Sequence, residues 1–187
     1  MHLITLTEPI ARGSLNLAAG SYLADNTNAG DLLSRSPETV SVQHVPNPKP
    51  ISVGYINPPC APRILIIRAG GYGDILFLTP AIRAMKRHNP AMTITVSCFA
   101  DYAQVLANNP DVDAVIPYPV PLEKVDHFDA IISMENTVES ETEMHAVDRY
   151  IEECGLDPDD VLDEDKRCIY HLTEKETERL EGLLPQI

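Results

Sequence analysis

An acid, Asp74, follows three glycines in the stretch RILIIRAGGYGDILFLTP, which runs from Arg63 to Pro80. The apolar run before it reads as a strand, and Gly70, Gly71 and Gly73 fall where that strand would end. Glycine there permits positive φ and close approach of the backbone to a ligand. In open α/β sheets that edge is where ligands bind. A helix beginning near Asp74 would add unsatisfied amide donors and a partial positive charge, suited to a carboxylate, a phosphate or sugar hydroxyls. Two roles are therefore open to Asp74: capping the helix, worth about 1 kcal/mol, or taking a proton from an incoming hydroxyl as a general base. Arg68, at the strand end, is placed to touch a ligand or to form a structural ion pair, and Tyr72 to stack on a sugar or pack on a partner. A proline inside a helix costs about 3 kcal/mol. Thr79 as a local N-cap with Pro80 at the first helical position is thus expected to restart the main helix, leaving Asp74 on an irregular first turn.

Other chemistries fit less well. A dinucleotide fingerprint needs a third glycine where this chain has Leu76, and no acid ends the next strand before Asp101. Glu139, Glu141, Glu143 and His145 alternate, and alternate residues on a helix do not share a face, so a solvated helix start accounts for them better than a metal site. Arg83, Lys86, Arg87 and His88 cluster at a helix C-terminus, where they would complement the dipole or meet an anionic acceptor. Neither a metal nor a cofactor is expected.

The elements that must position Asp74 follow a strand and helix alternation. Strands are expected at 63–68, 92–98, 112–118 and 129–134, the first rich enough in Ile and Leu to be buried on both faces. Helices are expected at DILFLTPAIRAMKRHN, at DYAQVLANN and at ESETEMHAVDRYIEECG, the last with Met144, Val147, Tyr150, Ile151 and Cys154 on one stripe and Gly155 closing it. The spacing predicts an α/β domain, a Rossmann-like parallel sheet with helices on its faces, over residues 63–187. Thr173 and Glu176 match a capping box for a final helix. Residues 1–45 read as a small β-rich accessory module, with HLITLT strand-like, two short strands in GSLNLAAGSYLA and a short helix in NAGDLLSR. Between them, residues 46–62 form a Pro-rich linker or arm in which neither helix nor inner strand can persist; an ordered arm of that kind needs something to hold it, such as a partner chain.

Composition narrows the class further. The net charge of −14 is uneven: residues 1–120 carry 8 acids and 8 Lys or Arg, whereas 121–187 carry 20 acids against 6. Nucleic-acid binding, which needs a basic face, is not expected. No stretch of 18 or more apolar residues could span a bilayer and the start lacks a signal peptide, so a cytoplasmic location is expected, with virion association as the alternative. The four cysteines, Cys60, Cys98, Cys154 and Cys168, form no CxxC pair and read as reduced filler.

The stretch RILIIRAGGYGDILFLTPAIRAMKRHNPAMTITVSCFADYAQVLANNPDVDAVIPY resembles the N-terminal domain of the ADP-heptose:lipopolysaccharide heptosyltransferase family. It has the R-I-L strand, the Gly-Asp turn with its later Thr-Pro and Arg, and N-P-D-V-D-x-V-I. The resemblance covers about residues 62–135. It implies half of a GT-B architecture, an inverting and metal-independent transfer, and Asp74 as the general base. Arg68, Gly70, Gly71, Tyr72, Gly73 and Thr79 would line a substrate cleft for a glycan or lipopolysaccharide-type acceptor. A nucleotide-sugar would be held only if a second domain or chain supplied its site, so the chain is expected to be inactive alone. Residues 133–136, Ser-Met-Glu-Asn, depart from the family's pattern. The alternative is a non-catalytic structural or assembly protein, such as a phage component, that reuses the half-domain and docks to a protein partner or to copies of itself through residues 1–62.

Overall fold

A computed structural model describes residues 1–12, 15–24, 26–51, 60–134, 137–138 and 143–183. Its centre is a parallel sheet of β6 (Arg63–Ile67), β7 (Thr93–Cys98), β8 (Ala114–Pro117) and β10 (Ala130–Ser133), in the order β10-β6-β7-β8. All four lie within the expected spans. Strand β6 is buried on both faces, as its composition predicts, and its side chains divide by parity. Ile64 and Ile66 enter one core with Ile94, Val96 and Ile132, while Leu65 and Ile67 enter a second with Ile131.

The two faces are covered differently. The first takes helix α2 (Tyr72–His88), the 3₁₀ turn Ala100–Leu106 and helix α4 (Ala146–Glu153), which present Ile75, Leu78, Ile82, Met85, Val147, Tyr150 and Ile151 to it. Each such fully buried aliphatic side chain is worth about 1.5–3 kcal/mol. From the crossovers of the parallel sheet the second face receives, among the described residues, only a short helix over 122–125, through Val125. Otherwise that face packs against the N-terminal antiparallel sheet, whose Ile4, Leu6, Tyr22, Leu23 and Val40 complete the second core. That sheet runs β5-β1-β4-β9, from β1 (His2–Leu6), β4 (Gly20–Ala24), β5 (Val40–His44) and the two-residue β9 (Val120–Pro121). Strand β9 thus belongs to the later part of the chain and pairs with β4, Tyr22 opposite Pro121 and Leu23 opposite Val120. A separate ribbon joins β2 (Ile10–Arg12) to β3 (Leu15–Leu17), and helix α1 (Asn26–Arg35) precedes β5. The short helix α3 (Leu122–Val125) follows β9.

Helix α2 corrects one expectation. It runs unbroken through Pro80, and Thr79 does not start it. Pro80 has no amide to donate to the Leu76 carbonyl; the Thr79 hydroxyl donates to that carbonyl at 2.8 Å and replaces the lost bond. The helix expected to end at Gly155 begins later than its sequence pattern. Helix α4 starts only after His145, whose Nδ1 accepts from Val147 N–H, and Met144 is exposed; Gly155 ends it at φ 79°. Residues 139–142 lie outside the described residues. Helix α5 (Glu174–Leu183) has the predicted capping box, Thr173 N–H to Glu176 Oε2 at 2.8 Å and Glu176 N–H to Thr173 Oγ1 at 3.1 Å.

The described part of the Pro-rich arm is bound by its own chain. Pro50 bridges Ile131 in parallel, Ile131 N–H donates to Lys49 O at 2.6 Å, and Asn47 Nδ2 donates to Ile131 O at 2.6 Å. Lys49 Nζ donates to the Phe128 and Val125 carbonyls at 2.7 and 3.2 Å. This strap covers the outer edge of β10, which would otherwise offer unpaired backbone groups. Residues 52–59 lie outside the described residues. Lys49→Ala is expected to cost about 1–2 kcal/mol through lost charge-assisted bonds, measured by urea unfolding, and to expose the strap to limited proteolysis. Unchanged cleavage would show that the two carbonyl contacts do not hold it.

At the opposite end of β6, Asp129 receives Arg63 N–H at 2.8 Å and the Arg63 guanidinium at 3.0 and 3.2 Å. These bonds pull its carboxyl down to about 2. The folded value lies below that of an unfolded aspartate, about 3.9. The contribution is therefore complete above pH 4 and is lost as pH falls through about 2. Asp129→Asn is expected to flatten the acid limb of stability between those values; an unchanged limb would overturn the assignment. Solvent screens this exposed pair, so the effect is small.

Candidate active site

Asp74 is the third residue of α2, at the edge of the parallel sheet where β6 ends. Its two oxygens are engaged separately. Oδ2 accepts from Gly71 N–H at 2.8 Å, and Oδ1 meets Arg68 Nη2 at 2.8 Å. Gly71 has no side chain, so only one half of a capping box is possible here. Arg68 is 5% exposed, donates from Nη1 to Met134 O at 2.8 Å, and sits over the Tyr150 ring with Cζ 5.7 Å from its centroid. It is a structural ion-pair partner whose guanidinium ties the end of β6 to the end of β10. The Asp74 side chain keeps 31% of its surface exposed, and a carboxylate has more acceptor sites than these two donors fill.

The glycines divide into one that is needed and two that are less so. A Cβ on Gly70 would lie 2.4–2.6 Å from Oδ2, Cβ and Cγ of Asp74, so Gly70 makes room for the acid. Gly71 would meet it only at 3.9 Å, and nothing lies within 4 Å of a Cβ on Gly73. The positive φ expected for this loop is absent from all three; among described glycines it occurs at Gly20 and Gly155.

Tyr72 is 50% exposed beside Asp74. Its hydroxyl donates to Asp101 O at 3.0 Å and accepts from Gln104 Nε2 at 2.7 Å, and its ring meets Tyr102 edge-on with centroids 4.7 Å apart. Phe99 continues this row of rings, 6.3 Å from Tyr102, and Tyr118 follows it, 5.1 Å from Phe99. Sequence reasoning named Tyr72 but missed Tyr102 and Gln104; the signal was DYAQ directly after an inner strand, on the edge that binds ligands. Thr79 is fully buried, so its expected place in the cleft is corrected: it serves the helix around Pro80.

The basic cluster lies at the other end of α2 and is used internally. Arg83 donates to Asp165 O and Arg167 O at 2.7 and 2.9 Å, Lys86 pairs with Asp113 at 2.7 Å, and Arg87 pairs with Asp165. Part of the acidic excess thereby anchors the segment that follows α4. A hollow of about 330 Å³ between Ala84, His88, Leu156 and Leu162 lies there, far along α2 from Asp74. At the open edge of the sheet, by contrast, a carboxylate and an exposed ring converge. Among the described residues no cluster of His, Cys, Asp and Glu is placed to hold a metal ion. Burial pushes the Cys98 thiol up to about 11 and the Cys154 thiol higher still, so both are inert core residues.

No family model matches the sequence, and no curated protein matches it. Solved structures do. A glycosyl transferase family 9 protein from Veillonella parvula matches 70% of this chain with 51% of its own, at 14% identity and a TM-score of 0.51. The likeness is one of fold. E. coli ADP-heptose lps heptosyltransferase II matches 65% of the chain with 50% of its own, at 15% identity and a TM-score of 0.42. E. coli heptosyltransferase WaaC, with ADP-2-deoxy-2-fluoro heptose, matches 50% with 47%, at 18% identity and a TM-score of 0.40. The chain thus spans about half the length of these structures. The shared part includes the Rossmann-like parallel sheet, and Asp74 lies at the edge of that sheet where β6 ends. Among the described residues no helix is long and apolar enough to cross a membrane.

Proposed function

We infer that this chain is the acceptor side of a heptosyltransferase-type glycosyltransferase, with Asp74 as the base that deprotonates the acceptor hydroxyl. The observation that carries the reading is the carboxylate itself. It stands at the C-terminal edge of a parallel sheet, fixed by Arg68 and Gly71 and open on its remaining side. Inverting displacement needs that base, a donor held in line, and dipolar or positive stabilisation of the departing nucleotide diphosphate. Gly70, Gly71, Tyr72 and Gly73 line the acceptor cleft, and a second domain or chain supplies the nucleotide-sugar site. The 187 residues alone are therefore expected to give no turnover. The test measures transfer from nucleotide-sugars to glycan acceptors by the 187-residue chain, with and without an added donor-binding domain. Turnover by the chain alone would sink the half-site reading, and a donor-complete assembly that transfers nothing would sink the enzymatic one. The rival, an assembly protein docking through residues 1–62, has less support because the described arm residues, 46–51, lie against their own sheet edge.

A further inference from the structure

We propose that the outer edge of β5 pairs antiparallel with β5 of a second copy of this chain, so that the N-terminal sheet continues across a two-fold axis at Val42. The pairing neither needs nor excludes the transferase reading above.

The direction of the β5 backbone groups carries the inference. In an antiparallel pair, alternate residues turn their N–H and C=O groups to one neighbour, and the residues between them turn theirs the other way. Thr7 N–H donates to Thr39 O at 3.0 Å and Val45 N–H to Met1 O at 3.1 Å, so residues 39, 41, 43 and 45 face β1. Val40, Val42 and His44 therefore face outward. The Val40 amide is spent on Ser36 O at 3.0 Å. The amides of Val42 and His44 and the carbonyls of all three have no partner on that side among the described residues. An antiparallel copy centred on Val42 answers this pattern. The two Val42 residues exchange N–H to C=O bonds, each His44 amide reaches the Val40 carbonyl of the other copy, and every residue of β5 stands opposite another residue of β5. The His44 carbonyls alone stay open, because the Val40 amides are already spent.

Strand β5 also lacks the devices that guard the other edges. Sheet edges are protected by a cover, by proline, by brevity or by charge. The strap covers β10, β8 ends in Pro117, β9 has two residues of which one is Pro121, and the ribbon strands have three residues each. β5 has five residues, VSVQH, with no proline and no formal charge, and Ser41, Gln43 and His44 are exposed. Charge favours a copy of the same chain at this module. Residues 1–62 hold 4 acids and 3 Lys or Arg, whereas 63–187 hold 24 acids against 11. Two molecules of net charge −14 repel, and they repel least where their near-neutral modules meet. A stable interface buries about 800 Å² per partner, more than a five-residue edge supplies, so the dimer is a weak one with a Kd of about 10–100 µM.

Sedimentation velocity on the whole 187-residue chain, from about 1 to about 300 µM, is the test, and a reversible monomer–dimer equilibrium is expected within that range. Ser41 and Gln43 share one exposed face and stand opposite each other across the axis. Ser41→Lys with Gln43→Lys sets like charges at both meeting points and should weaken the dimer about tenfold. Ser41→Lys with Gln43→Glu sets opposite charges there at unchanged net charge and should tighten it about threefold. Val42→Pro should abolish it, because the lost N–H points away from β1 and the β1 ladder keeps its bonds. If Val42→Pro fails to fold, the two charge variants, which leave the backbone unchanged, decide. A chain that stays monomeric at the top of the range, a dimer that responds alike to both charge variants, or a folded Val42→Pro protein that still dimerises would overturn the proposal.

Discussion

Asp74→Asn is expected to lower transfer by about 10²–10⁴-fold in any assembly that transfers, because the amide cannot accept the acceptor's proton. The same substitution also tests the fold. It removes the charge opposite Arg68, which is 5% exposed and cannot turn to solvent without abandoning Met134 O and the Tyr150 ring. Breaking a fully buried pair from one side costs about 3–5 kcal/mol. Asp74 is partly exposed, so about 1–3 kcal/mol is expected after allowing for solvent. Urea unfolding separates the two effects. A protein that stays folded under assay conditions and yet loses transfer places the loss in chemistry. A variant with full transfer would leave Asp74 only its structural role, a cap on α2 and a counter-charge.

Gly70→Ala is the second large effect, and its contrast with Gly73→Ala makes it diagnostic. The new methyl at position 70 would fall 2.5 Å from the Asp74 Cβ, which the α2 backbone holds in place, so rotating the carboxylate away does not relieve the overlap. Overpacking of this kind costs about 1–3 kcal/mol, a fall in Tm of roughly 3–10 °C for a chain of this size. At Gly73, in the first turn of α2 with open space around it, alanine is expected to be neutral or to stabilise by up to about 1 kcal/mol. Thermal unfolding of the two variants checks both. Equal effects would mean that the close approach of Gly70 and Asp74 is not a constraint on the loop.

These two positions show how far the sequence could be read. Ile64 to Ile67 announced a strand buried on both faces, and the strand and helix alternation gave the parallel sheet, because those signals are local and periodic. The acid at the strand-to-helix turn was legible for the same reason. What covers the second face was not. Leu65, Ile67 and Ile131 carry no mark of whether a helix or another sheet will meet them, and β9 is too short to have a period. Thr79 was misread because Thr-Pro also marks a helix start, and only the hydroxyl's distance to the Leu76 carbonyl shows the repair. Tyr102 and Gln104 became part of the site only when the turn after β7 brought them to Tyr72. Such proximity is tertiary and leaves no local signature.

The strap over β10 bears on the order in which the chain acquires its shape. Asn47 and its acceptor on Ile131 are 84 residues apart, and β4 likewise waits for β9. During synthesis the first 45 residues can form the ribbon and the β1, β4 and β5 pairings, but β4 stays open on one side until residue 121 has left the ribosome. Until β6 and β10 are in place, the core face of that early sheet has only Ala29 and Leu32 of α1 to cover it. Closure of such long-range pairings is slow and exposes strand edges meanwhile. A nascent chain of this protein is thus most vulnerable to intermolecular pairing before its last parallel strand arrives, and that strand's arrival seals the early sheet's face and seats the strap together.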